Sequence, residues 1–282
     1  MKLNQGYLVK HISKILKHIF LILGVIIVLY PFVWLISSSL KTNNEYFTSV
    51  LKLIPENFQW QNYVRAWKVG HFSRYLINSL IISGSVSIII LLLSSHVGYI
   101  LGRYKFPGRS LIYGVVISAM FLPTTNNIIP LYQIVRSMGL LNKLSGVIVA
   151  LSATTPTLFI LLFAVFFSGL PRELGESAEL DGAGFYTIFF RIYLPLAKPV
   201  IASVMILRFM WSWNDFMIPL IFTLGRPELR TVSVGMYSFV GEHFVDYTGM
   251  AAAAVMSLLP SILVFLSLQK YYMEATAGSI KF

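Results

Sequence analysis

Six long apolar segments constrain this chain more than any other feature of its sequence. A helix needs about 20 apolar residues to cross the hydrocarbon core of a bilayer, and each segment approaches or exceeds that length. Their predicted boundaries are 19–40, 75–101, 110–134, 144–168, 199–224 and 249–271. Because the bilayer core offers no water to backbone polar groups, such segments must form helices that satisfy their own hydrogen bonds. The sequence therefore predicts an all-α integral membrane protein with six transmembrane helices.

The composition agrees with a membrane protein and argues against a soluble one. Of the 282 residues, 56% are hydrophobic and 12% charged, which is far from the average of a soluble globular domain. The net charge of +11 is spread between apolar segments rather than gathered on a soluble domain, so nucleic acid is not an expected partner. Anionic membrane lipid is the better match for these basic residues.

Basic residues in the short loops predict the orientation of the chain. Residues 103–109 hold three Lys or Arg in seven positions, and short basic loops stay on the cytoplasmic side. An even number of spans then places both termini there, with a basic N-terminal segment over 1–18 and a tail over 272–282. The first apolar segment is longer than the core of a cleavable signal peptide and lacks a small-residue cleavage site, so we expect it to remain as a span.

The long loop over 41–74 is predicted to be extracytoplasmic, and it precedes a core of five spans over 75–271. Its residues Trp60, Tyr63 and Trp67 have the spacing of a short amphipathic helix over 61–69. Aromatic rings prefer the interface between lipid and water, so this helix should lie on the outer face of the membrane.

The second predicted span is rich in small hydroxyl residues. Serine occupies positions 83, 85, 87, 94 and 95, followed by His96. Small residues let neighbouring helices approach closely in lipid, which favours a packing role for these serines; a polar lining of a transport path is the alternative. A lone histidine in this setting is expected to be a hydrogen-bonded packing residue.

Residues 169–199, here called the elbow, form the longest polar interruption in the second half of the chain. Four of the eleven acidic residues fall within nine positions of it: Glu173, Glu176, Glu179 and Asp181. A proline at 171 and a glycine at 182 predict a short helix over 171–181. Proline is well suited to the first position of a helix, and glycine readily adopts the left-handed conformation that ends one. A second short helix over 183–191 should end before the prolines at 195 and 199. A loop resting on lipid headgroups is the alternative for such a segment.

The spacing of residues in the elbow resembles that of a known family. The series Glu176-Ser177-Ala178, Gly182, Ile192 and Leu194-Pro195 is similar to the E-A-A…G…I-x-L-P motif of binding-protein-dependent ABC importer permeases, with serine for the first alanine. Residues 129–132 (I-P-L-Y), 213–214 (W-N) and 276–281 (T-A-G-S-I-K) also resemble the carbohydrate-uptake branch. The similarity covers about 70–281.

This resemblance implies the type I importer permease fold, six transmembrane helices in a bacterial or archaeal cell membrane, and uptake of a carbohydrate. The elbow would dock on an ATPase, with Glu176 meeting a basic group, Ala178 small for close approach and Gly182 supplying the bend. The residues implied in this coupling are Glu173, Glu176, Ser177, Ala178, Asp181, Gly182, Ile192, Leu194 and Pro195. A permease for a non-sugar solute is the nearest alternative.

The partners implied by the resemblance are a second, homologous permease subunit, a pair of cytoplasmic ATPase subunits and an extracytoplasmic solute-binding protein. The sequence contains no G-x-x-x-x-G-K-[ST] loop, so ATP and Mg²⁺ are expected on the ATPase and no cofactor on this chain. It also lacks H-E-x-x-H, and Glu242-His243 has no second ligand at a workable spacing, so no metal site and no enzymatic activity are predicted.

Polar residues at membrane depth are the candidates for a translocation path, because each needs a partner or water. These candidates are Asn126, Asn127, Trp213, Asn214 and Asp215. An ion pair between Arg208 and Asp215, which are seven positions apart on one helix face, is the structural alternative. A secondary transporter that uses Asp215 or His96 is a further alternative, although the sequence shows no internal repeat of the kind that such folds have.

Overall fold

The computed structural model describes residues 3–69, 71–121, 127–154, 156–241 and 244–278, and these are predominantly helical. The helices are α1 (Leu3–Ser39), α2 (Asn43–Thr48), α3 (Gln61–Val69), α4 (Phe72–Arg103), α5 (Arg109–Ala119), α6 (Ile128–Ser137), α7 (Leu144–Ala153), α8 (Pro156–Ser168), α9 (Glu173–Leu180), α10 (Phe185–Ile188), α11 (Leu194–Leu196), α12 (Lys198–Asn214), α13 (Met217–Phe222), α14 (Val232–Gly235) and α15 (Tyr247–Gly278). A π-helical turn, Phe189–Tyr193, joins α10 to α11, and short 3-10 turns cover Pro227–Leu229 and Met236–Phe239. The all-α prediction is confirmed for this part of the chain.

The chain divides into two compact units. One comprises Met1–Gly70 with Ser238–Met256, and the other comprises His71–Tyr237 with Ser257–Phe282. The first unit holds α1 to α3 and the start of α15, and the second holds α4 to α14 and the remainder of α15.

Within the described residues, three helical segments are long and apolar enough to cross a membrane by themselves: Ser13–Ser39, Phe72–Arg103 and Tyr247–Met273. Two bent pairs raise the number to five if each pair is one span: Leu144–Ala153 with Thr157–Ser168 at 56°, and Phe185–Leu196 with Lys198–Asn214 at 78°. The predicted span over 110–134 corresponds to α5 and α6, and residues 122–126 between them lie outside the described residues. The count of six spans therefore stays a prediction.

The predicted span over 199–224 is not one continuous helix, because α12 stops at Asn214 and α13 begins at Met217. Asp215 has extended backbone angles, and its Oδ1 accepts a hydrogen bond from the N–H of Ile218 at 3.0 Å. A short carboxylate side chain that binds a nearby N–H offers the backbone an alternative to the helix, and here it ends one helix and starts the next.

Close approach of α4 to α8 organises the second unit. A Cβ added at Gly98 would lie 2.9 Å from the carbonyl oxygen of Ile160, and one at Gly102 would lie 2.6 Å from that of Ala164. Two glycines four positions apart thus allow the backbones to meet, as small residues do in membrane helix pairs. The serines of α4 agree with this packing role, because those at 83, 87, 94 and 95 are fully buried within the chain and that at 85 is half-buried.

His96 is a packing residue, as predicted. Its Nδ1 lies 2.7 Å from the carbonyl oxygen of Leu92, and its ring centroid lies 4.2 Å from that of Phe189.

Candidate functional site

The first helix of the elbow, α9, ends at a glycine in the left-handed conformation. Gly182 has φ +83°, and its N–H bonds to the carbonyl of Glu179 at 3.0 Å. The N–H of Ala183 bonds to the carbonyl of Ala178 at 2.9 Å. These two bonds form a Schellman motif, which satisfies the last carbonyls of a helix and favours glycine at the position of positive φ. The expected left-handed bend at Gly182 is confirmed.

The predicted helix over 171–181 starts two residues too early, because α9 begins at Glu173. The carbonyl of Arg172 accepts bonds from the N–H groups of Gly175 and Glu176 at 3.0 and 3.2 Å, so Arg172 is the N-cap and α9 begins at Glu173. Pro171 therefore precedes the helix instead of starting it.

One face of α9 is buried and the other is exposed. Ala178 belongs to the main apolar cluster of the second unit, together with Ile188 and Tyr193. The exposed face carries all four acids of the elbow, and Leu180 beside them is 90% exposed. Ala178 is therefore packed inside this chain, and its close approach to an ATPase stays a prediction.

The motif residues of the elbow divide in the same way. Ile192 and Leu194 are half-buried and pack on the main apolar cluster, whereas Ser177 and Pro195 are exposed. The predicted second helix over 183–191 is wrong at its end, since helical structure continues to Leu196. The π-helical turn explains this, because the N–H of Leu194 bonds to the carbonyl of Phe189, and the widened turn accommodates Pro195.

Arg103, the last residue of α4, was considered in the sequence only for orientation, yet it contacts the elbow. Its guanidinium donates to the carbonyl oxygens of Leu170 at 2.7 Å and Pro171 at 2.9 Å, and more weakly to that of Phe167 at 3.4 Å. It also donates to the hydroxyl of Tyr193 and lies 4.8 Å from the centroid of that ring. The nearest sequence signal is its position directly after the Gly98-x-x-x-Gly102 spacing.

A cleft lies between α9 and the segment that follows α4. Its charged and hydroxyl-bearing lining residues are Tyr99, Arg103, Tyr104, Lys105, Arg172, Glu176, Glu179 and Tyr193. Basic and acidic side chains therefore face a common space on the surface of the elbow, where a side chain of either charge from a partner would find a complementary group.

The described candidates for a translocation path differ in burial and in their hydrogen-bond partners. Asn126 lies outside the described residues, and Asn127 is exposed just before α6. Trp213 is buried and its ring is stacked on Phe209 at 5.4 Å. Asn214 is exposed and donates to the carbonyl of Met210 at 2.8 Å, while Asp215 is half-buried.

Arg208 is buried on α12, with 3% of its surface exposed. Its guanidinium donates to the carbonyl oxygen of Leu151 on α7, and Asp215 accepts from the N–H of Ile218. The two side chains are close enough for their charges to attract each other, but each is also held by a backbone group. The predicted ion pair is therefore at most one of several interactions that fix these groups.

The first unit contains a polar cluster that sequence reasoning missed. Arg65 on α3 donates from Nε to Oδ2 of Asp246 at 2.6 Å and from Nη2 to Oδ1 at 2.9 Å. Arg65 also donates to the side chains of Asn62 and Thr248. We call the four residues Arg65, Asp246, Asn62 and Thr248 the clasp. It joins α3 to the start of α15 across 181 positions of sequence, a separation that no local pattern could reveal.

The pKa of Asp246 is lowered despite its partial burial. Burial by itself raises the pKa of a carboxyl group, but the hydrogen bonds from Arg65 and from the N–H of Gly249, with the positive charge of Arg65, outweigh it. The carboxylate is therefore stabilised in its charged form.

Among the described residues, no group of three or more His, Cys, Asp or Glu side chains could hold a metal ion. Glu242 and His243 lie outside those residues.

Comparison with known proteins assigns the family. An all-helical chain with several apolar helices and a short polar elbow is a multi-pass membrane protein. Residues 94–274 match the family described as the binding-protein-dependent transport system inner membrane component, and this chain belongs to that family. It is accordingly a permease subunit of an ABC importer and not an enzyme, and such subunits generally work with a second permease, an ATPase and a solute-binding protein.

The sequence similarity to individual relatives extends over nearly the whole chain. The diacetylchitobiose uptake system permease protein of Streptomyces coelicolor is 33% identical over 266 residues, which cover 94% of this chain and 86% of the relative. The melibiose/raffinose/stachyose import permease protein of Bacillus subtilis is 33% identical over 253 residues, 89% of this chain and 91% of the relative. A chain of a bacterial ABC transporter involved in the import of the acidic polysaccharide alginate superposes with a TM-score of 0.80 at 22% identity, over 93% of this chain and 97% of that chain. This last similarity supports the fold alone.

Proposed function

We propose that this chain is one of two homologous permease subunits that import a carbohydrate delivered by an extracytoplasmic solute-binding protein. The relatives named for diacetylchitobiose and for melibiose, raffinose and stachyose support a carbohydrate as the solute. ATP and Mg²⁺ bind to a pair of cytoplasmic ATPase subunits, since this sequence has no phosphate-binding loop. The observation that carries the proposal is the elbow, whose buried face is fixed to the chain and whose acidic face is free.

The proposed docking surface consists of the exposed motif residues Glu173, Glu176, Ser177, Asp181 and Gly182, together with the exposed Glu179 and Leu180 between them. Ala178, Ile192 and Leu194 support that surface from inside, with Pro195 at its end. The exposed acids suit a basic surface on the ATPase, and the almost fully exposed Leu180 offers an apolar contact at its centre. A helix presented in this way transmits force only if it does not slip on its support.

We also propose six spans, with both termini and the elbow in the cytoplasm. The basic loop over 103–109 supports this orientation, and both termini then lie on the side of the ATPase. Reporter fusions test it: a fusion at residue 185 that is active only outside the cytoplasm would contradict the orientation.

Substitution of Gly182 tests the elbow, and Gly184, two positions further along the chain, is the matched control. Gly182 and Gly184 both have open space around an added Cβ, but only Gly182 has positive φ. Gly182→Val should therefore strain the bend, whereas Gly184→Val should not, because its backbone is extended. In the reconstituted importer, we expect Gly182→Val to lose ATPase association or solute-stimulated hydrolysis while it still pairs with the second permease.

Glu176→Gln should have a smaller effect than Gly182→Val, because a partly exposed ion pair contributes only about 0–1 kcal/mol. If Gly182→Val keeps a fully coupled ATPase and normal uptake, the elbow is an interfacial loop and its docking role is wrong. Equal losses in both glycine variants would also contradict the role of the bend.

For the translocation path we propose Asn126, Asn127, Asn214 and Asp215 as water-accessible positions, with Trp213 as a packed support. Cysteine introduced singly at the four polar positions should react with small aqueous thiol reagents during turnover, and the chain has no cysteine of its own. Ser212, which is 1% exposed, is the buried control. Uniformly unreactive positions would show that these residues only pack.

A further inference from the structure

Arg103 occupies a position where one side chain can hold several backbone groups at once. The carbonyls of Phe167, Leu170 and Pro171 lie at and just beyond the end of α8, where helix geometry leaves carbonyl oxygens without intrahelical donors. A cation is favoured at such a helix end, and the planar guanidinium presents several N–H donors in fixed directions. Arg103 is half-buried, so these bonds are partly shielded from water.

Tyr193 links Arg103 to the acidic helix of the elbow. Its hydroxyl accepts from Arg103, and the same hydroxyl would lie 2.8 Å from a Cβ added at Gly175 on α9. The absence of a side chain at position 175 therefore lets α9 rest directly on the hydroxyl that Arg103 holds. The contacts run from α9 through Tyr193 to the end of α4.

The packing of α4 on α8 explains how Arg103 reaches these acceptors. Gly102 lets the α4 backbone approach Ala164, which brings the next residue, Arg103, beside the last turn of α8. The ring centroids of Tyr99 and Phe167 lie 5.1 and 6.1 Å from that of Tyr193, and the ring of Phe189 packs against these two rings at 5.1 and 6.5 Å.

We propose that Arg103 is a positioning residue for transport: it locks the elbow to the ends of α4 and α8, so that movement of the elbow moves both helices together. This inference rests on the proposed docking of the elbow on the ATPase. Without the Arg103 contacts, α9 would still bind the ATPase through its exposed acids. The elbow would then rotate relative to α4 and α8 instead of moving these two helices.

A distance measurement tests the lock without any ATPase. Spin labels are attached to cysteines introduced at Ser177 on α9 and Ile100 on α4, which are both exposed and outside the Arg103 contacts. We expect a narrow distance distribution in the parent chain, a broad one in Arg103→Gln and an intermediate one in Arg103→Lys, since an ammonium cannot reproduce the directions of a guanidinium. Arg109→Gln is the matched control, because Arg109 bonds to the carbonyl of Leu101 and not to the elbow. An unchanged distribution in Arg103→Gln would overturn the lock.

Transport by the reconstituted importer gives the second measurement. In Arg103→Gln we expect the solute transported per ATP hydrolysed to fall by about tenfold or more while the ATPase stays bound, because losing even one hydrogen bond to a charged group corresponds to about that factor and Arg103 makes several. Tyr193→Phe, which keeps the ring and removes the hydroxyl, should change this ratio in the same direction by less, and Arg109→Gln should not change it. A parallel loss of uptake and hydrolysis with an unchanged ratio would overturn the positioning role.

The two measurements separate this inference from the proposed function. If the elbow does not dock on the ATPase, Gly182→Val leaves coupling intact, yet the distance distribution still reports whether Arg103 holds the elbow. If the elbow docks and Arg103 does not lock it, Gly182→Val uncouples the importer and Arg103→Gln does not.

Discussion

Short helices are held in place by opposite means in two regions of the molecule. One region is the elbow in the second unit, and the other is the segment over 41–69 in the first unit. Helices of six to nine residues are not stable alone in water, so α2, α3 and α9 each need tertiary support. The elbow is held by apolar burial of Ala178 and by backbone carbonyls bound to Arg103, and its own acids are left exposed. In the first unit, the acid and the base of the clasp are paired with each other.

This difference indicates which charges are available to a partner. The carboxylate of Asp246 is occupied by Arg65 and Gly249, and its side chain is only 14% exposed. The acids of α9 are exposed, so binding a basic surface costs them little desolvation. Burial of charge in the clasp serves the fold, and exposure of charge on the elbow suits recognition.

The largest expected effect comes from overpacking the buried face of the elbow. Ala178→Leu forces extra methyl and methylene groups into a filled cluster and should destabilise the protein by about 1–3 kcal/mol. Ser177→Leu adds a leucine to the adjacent exposed position and is the control. The midpoint of thermal unfolding in detergent should fall for Ala178→Leu only; a similar midpoint for both variants would show that burial does not hold the elbow.

The clasp should contribute less than the buried face of the elbow. Arg65 is 39% exposed, so solvent screens its ion pair, and we expect a coupling energy of about 1 kcal/mol between Arg65 and Asp246. A double-mutant cycle of Arg65→Gln and Asp246→Asn, read from unfolding midpoints, measures this energy. Purely additive effects of the two substitutions would mean that the clasp does not stabilise the first unit.

Acid should remove the contribution of the clasp in a defined direction. The pKa of Asp246 is lower in the folded chain than in the unfolded one, so its stabilisation is complete above the ordinary aspartate pKa and is lost as pH falls through the folded pKa. The stability difference between the parent and Asp246→Asn should stay constant from pH 8 to about 5 and narrow below about 4. A difference that does not change with pH would show that ionisation of Asp246 is not its source.

Local sequence patterns predicted the features that depend on neighbouring residues. The all-helical fold follows from apolar segments of membrane length, and the left-handed bend follows from a glycine after an acidic helix. The break in the fifth predicted span does not follow from hydropathy, because it lies where the N–H of Ile218 donates a hydrogen bond to the carboxylate of Asp215.

Contacts between distant residues were the ones that the sequence did not reveal. The bonds of Arg103 reach residues 64 to 90 positions away, and the bonds of Arg65 to Asp246 and Thr248 reach 181 and 183 positions away. The motif indicates that a small residue is needed at position 178, but it does not identify the residues that Ala178 contacts. The structure shows that Ala178 packs in the same apolar cluster as Ile188 and Tyr193.

The smallest expected effect concerns an ion pair that has the same length as a bond of the clasp. Lys52 and Glu56 are 2.9 Å apart, as are Nη2 of Arg65 and Oδ1 of Asp246, but the side chains of Lys52 and Glu56 are 47% and 64% exposed. Water and salt screen a pair of this kind, and ordering two mobile side chains offsets the remaining attraction. Glu56→Gln should therefore leave the unfolding midpoint unchanged under conditions where Asp246→Asn lowers it. If both substitutions lowered the midpoint equally, distance alone would determine the strength of these pairs, and burial of Asp246 could not explain the difference between the clasp and an exposed ion pair.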